Sequence, residues 1–340
     1  MRGRHLAALL SLSAFVFTPI AAIGQTRPTQ QRATKYEPPR TPWGHPDLQG
    51  IWNNVTATPL QRPAEFKDKA YLSPQEAAEF AARAAQREAD GESRPTAQQT
   101  PGQRTGYASS IWFETTHSLT ADRRTSLLVD QEDGKLPPLT PEGQKIAQKL
   151  AEGAKLRPAD DPEDRGAYER CISRGMPGAM MPGFYNHNYQ IVQTKDYVLI
   201  SVEMIHDARI IPLHGAAVRP GLNQWLGNSR GHFEGNTLVV ETTGFRNIDQ
   251  RNVAVFGTSE RGRVIERFTP TSAGSMDYTI TIDDPAIYTR SWTASIPMTK
   301  VEGPLYEYAC HEGNYGLRGI MAGHRKEEEE KASGASAPQR

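Results

Sequence analysis

A chain of 340 residues with 39 basic and 39 acidic side chains has no formal net charge, and it holds no long basic block. That balance argues against a nucleic-acid partner. Hydrophobic residues make up 37%, beside 25 Pro and 29 Gly, so the core is expected to be carried by part of the chain with long connections elsewhere.

Residues 1–24 read as a secretory signal: Arg2, Arg4 and His5 precede an apolar run over residues 6–17, and Ala22 and Gly24 occupy the small-residue positions for cleavage before Gln25. The run is shorter than the roughly 20 residues a spanning helix requires. No later segment is apolar enough to cross a bilayer, so the expected location is the periplasm or the cell exterior. Residues 25–40, rich in Pro and Gln, read as a flexible lead-in.

Residues 41–157 read as an arm and helical region packed on the main body. PWGHPDLQGIWNN, with Trp43 and Trp52, is expected to lie over that body as an ordered arm; a sugar-stacking platform is the other reading. Ser73-Pro-Gln-Glu is a helix start that predicts a helix to about Asp90, followed by a polar loop. The apolar stretches around Asp133-Gly134 predict a hairpin, and Thr140 caps a second short helix.

From residue 158 to 323 the pattern is short, β-branched and alternating. YQIVQT, YVLISVEM, ARIIPL, NTLVVETT, RVIERFT, DYTITID, WTASIPM and LYEYAC read as strands. Turns are expected at Lys195-Asp196 and Glu234-Gly235-Asn236. About eight such strands predict a mainly β fold, an antiparallel lipocalin-like barrel or curved sandwich. Residues 324–340, a charge block followed by small polar residues, read as a disordered tail.

Cys171 and Cys310 are the two cysteines, and in an oxidising compartment they are expected to pair. A half-cystine is no thiolate, which removes a Cys310–His311 catalytic pair. Strand alternation through YEYACHEG would place Glu307 and His311 on the face opposite Tyr308, Cys310 and Glu312.

The densest polar region holds Tyr185, His187, Glu203, His206, Asp207, Arg209 and His214. One reading makes it a cavity in which His206 moves a proton and Asp207 or Glu203 orients it. Arg209 would hold an anion, and Tyr185, His187, Glu307 and His311 would contact the substrate. The other reading pairs Glu203 with Arg209 across a hairpin, with His206 in a turn. No HExxH or CxxC spacing is present; a metal on His187, His206, His311 and Glu203 would need distant segments, so neither metal nor cofactor is expected. SRGHFEGN begins with a glycine-containing turn but opens no helix that could bind phosphate, and no GxSxG turn supports a serine hydrolase. Trp225, Phe233 and Trp292 read as core residues.

The segments PWGHPDLQGIW, YERCISRGMPG, MIHDARIIPL, QWLGNSRG, HFEGNTLVVETTGF, RVIERFT and YEYACHEGNY together resemble an uncharacterised family of secreted bacterial proteins. The resemblance implies a lipocalin-like barrel and names no reaction. Where that family often carries His-Ser-Glu before the VIERF strand, this chain reads Gly257-Thr258-Ser259-Glu260. The expected function is an exported small-molecule enzyme using cofactor-free acid–base chemistry, such as hydration, elimination, isomerisation or hydrolysis. The alternatives are a periplasmic carrier that binds a ligand without turnover and a structural envelope protein.

Overall fold

The computed structural model describes residues 36–66, 68–93, 118–183, 185–214, 221–246 and 257–334. The predicted signal, the lead-in before residue 36, the polar loop beyond residue 93 and residues 335–340 of the tail lie outside them.

Nine strands are found among the described residues: β1 Gly50–Asn53, β2 Asn188–Gln193, β3 Tyr197–Val202, β4 Ala208–Pro212, β5 Asn228–Glu234, β6 Thr237–Thr243, β7 Arg263–Ser272, β8 Ser275–Asp283 and β9 Trp292–Val301. They form one sheet in the order β4-β3-β2-β1-β9-β8-β7-β6-β5, and every neighbouring pair is antiparallel. Alternate residues are buried, for instance Tyr189 and Ile191 on β2, Val198, Ile200 and Val202 on β3, and Met276, Tyr278, Ile280 and Ile282 on β8. This period of two places one face of each strand on a shared core, and the sheet curls until its ends almost meet. Gly231 of β5 makes that approach possible, because a Cβ there would stand 3.0 Å from side-chain carbons of both Ile211 and Leu213 at β4. The β4–β5 junction is therefore a seam between the two ends of the sheet.

Helix α1, Pro74–Ser93, starts with a reciprocal cap: Glu76 N–H donates to Ser73 Oγ, and Ser73 N–H donates to the Glu76 carboxylate. Helix α2, Pro141–Leu156, is capped by Thr140, whose Oγ1 accepts from Gly143 N at 2.9 Å. Helix α3, Tyr315–Ala332, is capped by Asn314. None of the helices searched is long and apolar enough to cross a membrane.

Five expectations need correction. The Trp52 segment is more than an arm: β1 is inserted in the sheet between β2 and β9, with Trp52 buried. The stretches flanking Asp133-Gly134 make the turn but not a hairpin, since Leu128 bridges Ala294 and Leu139 bridges Tyr288 instead of each other. The expected glycine turn at SRGHFE is strand β5. LYEYAC is not a strand; after β9 the chain meets Gly303 at φ 108° and Pro304, which has no N–H to donate, and Cys310 begins a turn. The tail from His324 continues as helix α3 to Ala332, because its near half packs on residues around Asp160 through His324 and Arg325.

Candidate functional site

The connection between β3 and β4 reverses within residues 203–207. Ile205 and His206 both take left-handed backbone angles, φ 62° and 47°, an uncommon conformation for a β-branched residue. The turn buries Ile205 and turns His206 outward. Strain of this kind is retained where the surroundings over-determine it, frequently at functional sites.

Asp207 follows the turn. Ser173 Oγ donates to Asp207 Oδ2 at 3.0 Å, while the same Ser173 Oγ accepts from Gly175 N at 2.9 Å. The Arg174 N–H also reaches Asp207. Ser173 is placed by the Cys171–Cys310 disulfide two residues before it, whose Cα atoms are 5.7 Å apart. Asn314 reinforces that corner, donating to Glu169 O at 2.9 Å. Burial raises the Asp207 carboxyl to about 6, offset only in part by the Ser173 and Arg174 hydrogen bonds and the charges of His206 and Arg209.

Asp207 and Ser173 stand in the wall of a cavity of about 610 Å³ at the β4–β5 seam. Ile172, Ile210, Pro212 and Leu226 supply apolar wall, and Gln224, Asn228 and Ser229 supply polar groups. Trp225 and Arg246 complete it, the guanidinium lying 4.7 Å from the indole centroid. That pair offers a flat apolar face beside a cation.

Arg209 borders the same cavity, but its charge is committed elsewhere. Its guanidinium makes a two-pronged pair with Glu266, one prong 2.8 Å long, and both side chains are almost wholly buried. Tyr278 Oη donates to Glu266 Oε1 at 2.8 Å, and Ser229 and Thr242 approach Arg209 at 3.3 and 3.4 Å. Burial on its own would lower the Arg209 pKa; the Glu266 charge and hydrogen bonds outweigh it, and the net shift is upward. This is the buried ionic core of the barrel, not the Glu203 pair that hairpin reasoning suggested.

The remaining predicted residues divide into three groups. Tyr185 joins an aromatic cluster: its hydroxyl is 3.1 Å from that of Tyr168, its ring centroid is 6.3 Å from that of Tyr308, and Arg174 lies over Tyr168. Burial raises both Tyr168 and Tyr308, with Tyr185 adding to the shift. His206 touches this cluster from outside, Nδ1 lying 3.0 Å from Tyr308 O, and it is absent from the cavity wall. His187 is buried, its ring so close to Gly183 that a Cβ there would sit 2.0 Å from Nε2; burial, then the Arg174 charge, lowers it to about 3, so it is neutral at physiological pH. Glu203 is buried and accepts from Asn188 Nδ2 at 2.8 Å. Glu307 and His311 are exposed and outside the wall.

No family model, curated protein or solved structure matches this chain. The site therefore rests on its own geometry.

Ser173, Trp225, Arg246 and Glu266 are not among the residues the sequence marks as functional, and Trp225, expected in the core, is half-buried and lines the cavity instead. A signal existed for Glu266: in RVIERFT it shares the inward parity of Val264 and Phe268. Nothing in the local pattern marks Ser173 or Arg246, because tertiary contacts bring them to the seam.

Proposed function

We propose that the protein is an exported small-molecule enzyme whose acid–base chemistry takes place in the seam cavity, with Asp207 as the group that gives and takes the proton. The observation that carries this reading is the position of Asp207: a carboxyl in the wall of a partly apolar cavity, held by Ser173 and raised by burial to about 6. A carboxyl in that range exchanges protons in both directions at working pH. Ser173 is a positioning residue, fixing one oxygen of Asp207, and the apolar wall favours a partly apolar substrate. Hydration, elimination, isomerisation and hydrolysis all need such a group, and none requires Arg209 to leave Glu266.

Export is part of the proposal, supported by the leader-like order of residues 1–24 and by a disulfide suited to an oxidising space. So is membership of the secreted family that the motifs resemble. Three of those motifs, YERCISRGMPG, MIHDARIIPL and QWLGNSRG, supply much of the cavity wall, including Ser173, Asp207 and Trp225.

A carrier is the second reading, favoured by the Trp225–Arg246 face and the exposed Asn223 in the wall, which would recognise a ligand without reacting. Incubation of the purified protein with a small-molecule extract, followed by mass spectrometry, separates the two. The enzyme reading expects a product that Asp207→Asn lowers at least about 100-fold, in keeping with the usual contribution of a general acid or base. His206→Ala, outside the wall, is expected to retain turnover. A bound molecule recovered unchanged supports the carrier, and undiminished turnover by Asp207→Asn removes the proposed role.

A further inference from the structure

Helix α3 brings two side chains one turn apart, His324 and Glu328, against Asp160 in the connection that follows α2. His324 Nε2 lies 2.8 Å from Asp160 Oδ1 and 3.6 Å from Glu328 Oε1, and the three donor atoms are all within 4.8 Å of one another. Donors around a tetrahedral zinc ion with bonds of about 2.0–2.1 Å stand roughly 3.3 Å apart, so little movement would let these three share one ion.

The arrangement has an outer layer. Arg157 Nε approaches the other oxygen of Asp160, Oδ2, at 3.6 Å, and Arg325 Nη1 approaches the other oxygen of Glu328, Oε2, at 3.3 Å. Each carboxylate is thus held from behind by a guanidinium, leaving Oδ1 and Oε1 turned toward the imidazole. Such outer partners orient ligands and fix which atom faces the metal. Arg157 also pairs with Asp161 and Asp164, so four carboxylates surround the two guanidiniums and the cluster is negative overall. A divalent cation compensates that excess. The side chain of His324 is only 11% exposed, which limits solvent competition on the nitrogen side.

We propose that Asp160, His324 and Glu328 form a site for a divalent first-row transition metal, zinc being the best fit. One imidazole with two carboxylates suits zinc and its neighbours, whereas calcium and magnesium prefer all-oxygen sets. The bound ion would fasten helix α3 to the chain just after α2, in a place separate from the seam cavity and independent of the reaction proposed there.

The test is a competition titration of the full-length, disulfide-intact protein with zinc chloride and a chromogenic chelator. One zinc per chain is expected, lost in His324→Ala and Asp160→Asn, weakened at least about tenfold in Glu328→Gln, and unchanged in His232→Ala, a histidine paired with Glu234 on β5. Millimolar calcium should not displace it. Glu328→Gln keeps an exposed helical side chain of the same shape, so it decides the matter if His324→Ala loosens the helix. Zinc retained at the same stoichiometry and affinity by His324→Ala and Glu328→Gln would overturn the site, as would the absence of any zinc bound more tightly than about 100 μM in the parent chain.

Discussion

Glu266→Gln is expected to lower folding stability by about 3–5 kcal/mol, because it leaves the Arg209 charge buried without its counter-ion. Arg209 and Glu266 are 1% and 0% exposed at the side chain, so water cannot take the place of the missing carboxylate. Gln retains an acceptor for Arg209 Nη1 or Tyr278 Oη, which keeps the loss below that of a full truncation, but it cannot cancel a charge in a medium of low polarity. Urea denaturation would show the midpoint falling with an unchanged slope. Replacing Arg209 by Met and Glu266 by Leu together, with Tyr278→Phe to remove the stranded hydroxyl, should recover most of the loss, since apolar residues of similar volume commonly match a buried pair. A Glu266→Gln protein as stable as the parent would show that the pair is solvated. The same reasoning limits function: an anionic substrate competing for Arg209 would first have to displace Glu266.

Cys171→Ser with Cys310→Ser is expected to have an effect of similar size by a different route. The bridge joins positions 139 residues apart, and closing a loop of that length in the unfolded chain corresponds to about 5 kcal/mol in the loop-entropy description. The reduced or double-serine protein should therefore melt roughly 10 °C lower. The loss also reaches the site, because the bridge holds the segment that presents Ser173 to Asp207. Weaker turnover after reduction, with Asp207 still intact, would show that the bridge supports the cavity as well as the fold. An unaltered melting point would contradict this account, showing that closing the loop in the unfolded chain contributes no net stability.

The barrel was legible wherever strand residues obey one rule. In SMDYTITID apolar and polar positions alternate cleanly, while YVLISV is a short run rich in β-branched and aromatic residues, and both are strands of the sheet. The rule misled where a residue serves packing between strands and not strand propensity. Gly231 weakens the β signal of SRGHFE, yet its missing side chain admits Ile211 and Leu213 and so permits the close approach at the seam. LYEYAC shows the converse: its aromatic alternation reads as a strand, but among the described residues no neighbouring strand accepts it, and Cys310 is tied to Cys171. Disulfide pairing was legible from the count of two cysteines together with the expected export. The site was legible only in part. Asp207 stood in a visibly polar hairpin, but which of its neighbours turned inward depended on the left-handed turn at Ile205 and His206, which no periodicity encodes.

The protonation of Asp207 tests the account most directly. Its folded carboxyl is raised by burial, so the stability it contributes is fully present below the unfolded value of about 4 and is lost as pH rises through about 6. Carboxyl carbon-13 titration of the parent protein, assigned by the signal that disappears in Asp207→Asn, should give a midpoint near 6, and the stability of Asp207→Asn should lack the corresponding decline between pH 4 and 6. A midpoint near 4 would mean an ordinary, permanently ionised aspartate and would contradict the role proposed for it as the proton-transferring group of the seam cavity.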